Sequence, residues 1–393
     1  MFVRDDLRAI AHKVRSKVFD ACDQPVDVIV SNDPTHVGYL CGYRSLLLDL
    51  MRDYRTAAIV TRETAVLVTG ASDVAAALEV LRDPAGIYRY GVFFFETSNA
   101  TGLDFSALPK LEATFADALR AAIAATIKPQ QRVGLDCASA RELQELQNLA
   151  GARSFDARPA IMKARRTKLS DEIQKIAHAA AIAERGLEKA FAHARAGVTE
   201  LELSAIIAGE MRAGGGVPRF VVVTRGERSA LADAYATPAK LSNGDLVRFD
   251  IGCTVDGYWA DMARTAVVGE PTREQEQRYA ALLEGEQAQR ALARSGVTAG
   301  DMFKVAVDRV RRGALPGYQR SHCGHGIGIE VYEYPTLNAA SHAVELEEGM
   351  VLCVETPYYQ IGWGGMMVED MIVIRSAGNE CLTQVSRELR RLP

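Results

Sequence analysis

The chain reads as an α+β protein of two domains: a smaller α/β domain over residues 1–160 and a larger helix-and-sheet domain over 161–393. Three observations carry that reading. A chain of 393 residues is longer than one hydrophobic core comfortably fills. Its first part alternates short strand-like and helix-like stretches, whereas its second part repeats one pattern, a pair of helices followed by period-two strands. Between them, residues 151–169 (GARSFDARPAIMKARRTKL) are basic and weakly periodic, as a boundary would be.

In the first part, residues 26–31 (VDVIVS) predict a buried strand, and Asn32-Asp33-Pro34 turns out of it. Residues 56–60 and 64–69 flank the polar Thr61-Arg62-Glu63 and predict a hairpin. Residues 111–126 have helical period, and 132–135 open another strand. The run Phe93-Phe94-Phe95, with Tyr88 and Tyr90, is expected in the core or at a dimer contact, ahead of a loop that covers substrate.

In the second part, residues 170–196 predict a long helix closed by Gly197. Thr199 and Glu202 stand in capping-box positions of the next helix, which runs out at Gly214-Gly215-Gly216. The order then recurs. Thr272 with Gln275 caps a long helix ending at Gly296, and Val297-Thr298 introduces another up to Gly313. Period-two stretches follow each pair, at 246–251 and 258–268, then at 350–355 and 367–374. Two matching halves predict a pseudo-symmetric domain whose site lies on the free face of the sheet.

Composition sets bounds on function. With 48% apolar and 24% charged residues, this is an ordinary globular chain. A net charge of −4 without a basic stripe argues against nucleic acid. No long uncharged apolar run suggests a membrane span, and the amphipathic, acid-bearing N-terminus lacks the features of a signal or transit peptide. Seven scattered cysteines with no CxxC pair read as reduced thiols of a cytoplasmic protein.

The chemistry concentrates in two predicted hairpins. In NGDLVRFDIGCTVDGYWADMARTAVV, Asp256-Gly257 is a strong turn signal. With that pair as a two-residue loop, Val255 faces Tyr258 and Asp250 faces Ala263. Asp261 is then the diagonal neighbour of Asp250 on the same face, roughly 7–8 Å away. Moving the turn back by one residue puts the two acids directly opposite, and they still share the face. Acids so placed in an apolar ladder repel unless a cation or proton lies between them. Glu355 and Glu369 repeat the arrangement, joined through Gly362-Trp363-Gly364-Gly365, and His325 sits between glycines in CGHGIG. One imidazole and four carboxylates suit Mn²⁺, Fe²⁺, Co²⁺ or Zn²⁺, and the excess of carboxylate fits two ions sharing bridging acids. Each residue alone reads as a hydrogen-bonded core histidine or a solvent-facing acid. Five in mirrored halves do not.

These segments resemble the pita-bread metalloenzymes: methionine aminopeptidases, prolidases, aminopeptidase P and creatinase. The resemblance rests on GDLVRFDIG, GYWADMARTAVVG, CGHGIGIEVYEYP, EEGMVLCVETPYY and MMVEDMIVI, and covers roughly residues 163–392. SNDPTHVGYLCGYRS resembles the opening of the creatinase-type N-terminal domain. The resemblance implies that Asp250 chelates one metal, that Asp261 and Glu369 bridge both, and that His325 and Glu355 complete the other. It also implies a bridging hydroxide as nucleophile, with Glu355 moving its proton, and a homodimer.

Two departures stand out. Where the peptidases carry substrate-facing histidines, this chain has Tyr235 and Tyr332. A phenol can hydrogen-bond an oxyanion but is a poor proton shuttle near neutral pH. The leading expectation is therefore hydrolysis of an amide-like C–N bond in a small molecule, ahead of Xaa-Pro dipeptide cleavage. A non-hydrolytic lyase of the dimethylsulfoniopropionate-lyase type and a non-catalytic binding module complete the alternatives.

Other residues are weighed against plainer roles. His322 either replaces a lost histidine or packs beside the site, the latter slightly favoured. Arg264 is expected to pair with a ligating carboxylate rather than to anchor substrate. Asp233 and Arg225 lie on the loop where relatives run past substrate, and a small zwitterion would need such groups. Cys323 and Cys353 are expected as buried thiols rather than ligands. His36, Tyr43 and Arg44 are considered as lining a neighbouring subunit's pocket.

Overall fold

The computed structural model describes residues 4–96, 105–151 and 153–393. The chain divides into two compact units, Met1–Arg165 and Arg166–Pro393.

The first unit is built on strands β1 (Val28–Ser31), β2 (Ala57–Val60), β3 (Ala65–Gly70), β4 (Ile87–Tyr90), β5 (Val133–Asp136) and β6 (Ser154–Asp156), in the sheet order β4-β3-β2-β1-β5-β6. The expected hairpin is β2–β3, antiparallel with Val60 opposite Ala65. Helix Phe115–Thr126 lays Phe115, Ala118, Leu119, Ala122 and Ile123 on this sheet, against Val28, Val30, Val68, Val133 and Leu135. It starts later than the periodicity alone suggests because the Thr114 side chain accepts from the Asp117 N–H and fixes the first turn there.

Two expectations for this unit are corrected. Phe93, Phe94 and Phe95 are not core: Phe94 is 86% exposed and its neighbours are also exposed. Three aromatics in succession cannot all face one side of an extended chain. His36 is not a pocket residue but a buried one, its Nδ1 2.8 Å from Asp136 Oδ2 and its Nε2 2.8 Å from Arg165. Tyr43 is likewise buried, and Arg44 pairs with Asp49 at 2.7 Å.

The second unit carries the helix pairs Ser170–His193 with Glu200–Ala213, and Arg273–Leu292 with Ala299–Arg312. Both predicted capping boxes form, at Thr199/Glu202 and Thr272/Gln275. Its strands are β7 (Val217–Arg225), β8 (Leu246–Val255), β9 (Tyr258–Val268), β10 (Gly324–Gly326), β11 (Glu333–Thr336), β12 (Val351–Glu355), β13 (Tyr358–Gln360), β14 (Gly364–Met366), β15 (Glu369–Ile374), β16 (Asn379–Cys381) and β17 (Arg390–Leu392). The main sheet runs β11-β10-β12-β15-β9-β8-β7. Apolar residues of the second helix pair fill one face, as in the contacts among Met302, Leu352, Val354, Ile372 and Ile374. The opposite face carries the acids. Among the described residues, no helix is long and apolar enough to cross a membrane.

Candidate metal centre

Asp256 and Gly257 both adopt positive φ, 53° and 89°, which makes the tight turn that joins β8 to β9. Asp250 therefore faces Ala263, and Gly252 faces Asp261. Ala263 also faces Glu369 of β15, and Glu369 faces Glu355 of β12. Asp250, Glu369 and Glu355 thus lie in one row across the sheet, and the small Ala263 leaves the space between them open. Side chains alternate faces along a strand, so Asp261, two residues from Ala263, joins the same face. His325 of β10 pairs with Cys353, two residues from Glu355, and reaches that face too. Glycines permit the approach: a Cβ on Gly324 would fall 2.2 Å from the Cys353 carbonyl oxygen.

Asp261, His325, Cys353 and Glu369 are buried and bring one ligand atom each within 4.8 Å of one another. His325 Nδ1 donates to the Gly326 carbonyl at 3.0 Å, which leaves the Nε2 lone pair 3.7 Å from Asp261 Oδ2. Asp261 Oδ1 and Glu369 Oε2 are buried with no hydrogen-bond partner among the described residues. Acceptors stacked against acceptors without a donor are costly, and a cation removes that cost. The donor set of imidazole and carboxylates fits a divalent transition metal. Cys353 fits the plainer expectation: burial, then the nearby acids, push its thiol well above its usual range, so it is no thiolate.

Burial pushes the Asp261 and Glu369 carboxyls well above the usual carboxylate range, and the neighbouring acids add to the rise. Asp250 is pushed up to about 6, chiefly by burial and against the pull of Arg248. Burial also acts upward on Glu355, but a hydrogen bond from His322 and the charges of His325 and Arg320 hold it below its usual value.

In metal-free protein the folded state therefore holds protons on Asp250, Asp261 and Glu369 more tightly than the unfolded chain does. Stability is then expected to fall as pH rises from the ordinary carboxyl range through about 6 and beyond. Thermal scans with and without saturating Mn²⁺ should show a larger metal-induced gain in Tm at about pH 8 than at about pH 5. Equal gains would contradict the clustering.

A cavity of about 580 Å³ opens over these acids, lined among others by Asp233, Tyr235, Asp250, Arg320, His322, Tyr332 and Tyr359. His322 is in the cavity, its Nδ1 3.1 Å from Glu355 Oε1. The Tyr332 ring lies 4.4 Å from that of His325. Its loop is pinned by Glu333, which accepts from the Ile329 N–H at 2.9 Å and from Lys168 Nζ at 2.9 Å. Tyr235 reaches only the rim, with 92% of its surface exposed.

Two candidate substrate residues are corrected. Arg264 is fully buried on the far face and pairs with Asp370 at 2.7 Å, the residue after Glu369, rather than with a ligating acid or substrate. The alternation that points Ala263 and Glu369 at the cavity points Arg264 and Asp370 away. Arg225 is spent on Asp245, with Nε 2.7 Å from Oδ2.

Three residues of the site went unpredicted. Arg248 donates to Asp250 Oδ2 at 2.9 Å, and Tyr359 lies beneath it with the guanidinium 5.3 Å from the ring centroid. Arg320 makes no hydrogen bond or salt bridge among the described residues, and its Nε is buried without a partner. The period-two spacing in Arg248-Phe249-Asp250 placed Arg248 beside Asp250 and could have revealed it. No pattern marked Arg320.

Fold and site together define a scaffold with an open, acid-floored cavity whose donor set fits a divalent metal. The model of metallopeptidase family M24 matches residues 174–376, and that of the creatinase/prolidase N-terminal domain matches 20–167. The chain belongs to metallopeptidase family M24. It is 32% identical over 250 residues to the Xaa-Pro dipeptidase of Pyrococcus horikoshii, spanning 63% of this chain and 71% of that one. It is also 32% identical over 224 residues to the Xaa-Pro dipeptidase of Pyrococcus furiosus, spanning 56% of this chain and 64% of that one. The X-Pro aminopeptidase structure from Thermotoga maritima shares the fold, with a TM-score of 0.78, 23% identity and coverage of 97% of this chain and 99% of that one.

Proposed function

We propose that this chain is a metal-dependent hydrolase of an amide-like C–N bond in a small substrate. Asp250, Asp261, His325, Glu355 and Glu369 would hold two divalent ions, Mn, Fe, Co or Zn. The observation that carries this is the pair of buried oxygens of Asp261 and Glu369 without hydrogen-bond partners, beside the His325 lone pair on the floor of the cavity. Bound there, the ions would supply a water activated near neutral pH and charge to stabilise a developing oxyanion. Glu355, kept ionised by His322, takes and returns the proton. Tyr332, on the cavity wall with its ring 4.4 Å from that of His325, serves as a hydrogen-bond donor rather than a base. We also propose a cytoplasmic homodimer, the compartment from seven scattered cysteines without a CxxC pair and the dimer from the family resemblance alone.

A second reading, Xaa-Pro dipeptidase, draws on the named relatives and on the unpaired charges of the cavity. Asp233 and Arg320 have no salt-bridge partner among the described residues, and both line it. They suit the ammonium and carboxylate of a zwitterion. Assay of metal-loaded protein against Xaa-Pro and other dipeptides, small amides and amidines, with product analysis, tests both readings. No C–N cleavage anywhere on that panel would sink them, and elimination products would favour a lyase.

Arg320→Met is expected to raise KM for a substrate with a free carboxylate by roughly 10–100-fold while kcat changes little. The matching C-terminal amide should show no such change. An equal effect on both substrates would remove Arg320 from this role.

A further inference from the structure

Arg248 is wholly buried, and its guanidinium bridges two parts of the site. Nη1 donates to Asp250 Oδ2 at 2.9 Å. Nε donates to the Ser229 carbonyl at 3.0 Å, and Nη2 to the carbonyls of Leu231 at 2.8 Å and Ala232 at 2.5 Å. Those three carbonyls belong to the segment that continues into Asp233 on the cavity wall and Tyr235 at its rim. Ser229 is held in turn by the β13–β14 ribbon, where its Oγ accepts from the Gly365 N–H at 2.7 Å. A planar guanidinium can satisfy a carboxylate and several carbonyls in one fixed geometry, which an ammonium cannot.

We propose that Arg248 is a positioning residue that couples the carboxylate of Asp250 to the cavity segment 229–235. The proposal rests on Asp250 being a metal ligand. A cation held by Asp250 would fix that carboxylate, which through its bond to Nη1 would fix the guanidinium and, through it, the three carbonyls. Metal binding then orders the wall that meets substrate, although no residue of 229–235 needs to touch the metal. Coupling between sites must be reciprocal, so a ligand that orders the wall also tightens the metal.

The test is backbone hydrogen–deuterium exchange on the full chain, with Mn²⁺ binding followed by calorimetry. In the parent protein, saturating Mn²⁺ is expected to slow exchange across 229–235 at least tenfold. In Arg248→Met, exchange there is expected to be fast and insensitive to Mn²⁺, while the β1–β5 strands of the first unit keep parental protection. Arg248→Lys, which keeps the charge but loses the fork, is expected to restore little of the metal response. Mn²⁺ binding to the parent without added protection of 229–235 overturns the coupling alone and needs no variant to fold. Absence of Mn²⁺ binding overturns the metal reading and the coupling with it. Full restoration by lysine overturns the geometric argument.

Discussion

Asp261→Asn and Glu369→Gln are each expected to lower kcat/KM by about 10³ or more, the several kcal/mol that metal-held charge contributes. Each residue holds a buried oxygen, Asp261 Oδ1 and Glu369 Oε2, with no hydrogen-bond partner among the described residues. An amide cannot bridge cations as a carboxylate does, so metal content measured by atomic absorption should drop in step with activity. The stability effect should have the opposite sign. In metal-free protein the parent acids repel one another, and burial has already pushed both carboxyls up. An amide N–H placed there donates to a neighbouring carboxylate. The variants should therefore melt higher than the parent in the presence of a chelator and gain less from Mn²⁺. A variant that keeps its metal and a tenth of its activity, or melts lower without metal, would contradict this account of the site.

How much of this was legible in the sequence depends on the range of the interaction that decides each feature. The β8–β9 register was legible because Asp256-Gly257 fixes the turn locally, and the observed partners Val255 with Tyr258 and Asp250 with Ala263 follow from it. The capping boxes were legible for the same reason, since Thr199 and Glu202 meet within one helical turn. The second hairpin was less determined: β12 and β15 pair as expected, but an additional two-stranded ribbon, β13–β14, occupies their connection.

What long-range packing decides could not be read. Arg264 and Arg248 look alike in sequence, each near a site acid, yet one strand step separates the cavity face from the far face. Asp245, which occupies Arg225, lies on the turn before β8 and contacts it only once β7 folds back. Arg320 precedes the glycine-rich turn with no periodic neighbour, so nothing local says that it points into the cavity. For Tyr235, the resemblance supplied a position but not a direction, and the chain turns that side chain to the rim while Asp233 also lines the wall.

Arg264→Met is the substitution expected to cost the most stability. The guanidinium donates to Asp370 Oδ1 at 2.7 Å and to the carbonyls of Glu369 at 2.6 Å, Ala263 at 2.9 Å, Ser386 at 3.0 Å and Val385 at 3.0 Å. Asp370 is fully buried and shares its charge with Arg387, whose Nε lies 2.5 Å from Oδ2. Methionine fills much of the volume but takes the charged donor from Asp370 Oδ1, leaving it only the Thr383 hydroxyl at 2.5 Å, and removes the guanidinium from four carbonyls. Breaking one side of a buried ion pair costs about 3–5 kcal/mol. At roughly 2–4 °C per kcal/mol for a unit of this size, Tm should fall by about 6–20 °C. Adding Asp370→Asn removes the buried charge, so the double variant should recover part of the loss, with a coupling of roughly 0.5–3 kcal/mol. The effect should also reach the metal centre. The freed carbonyls include those of Ala263 and Glu369, the two residues that set the acid row, so Mn²⁺ affinity should weaken in Arg264→Met although Arg264 touches no proposed ligand side chain. A Tm within about 2 °C of the parent would show that Arg387 carries Asp370 alone. Parental Mn²⁺ affinity in a destabilised variant would show that the far face of the sheet does not position the near one.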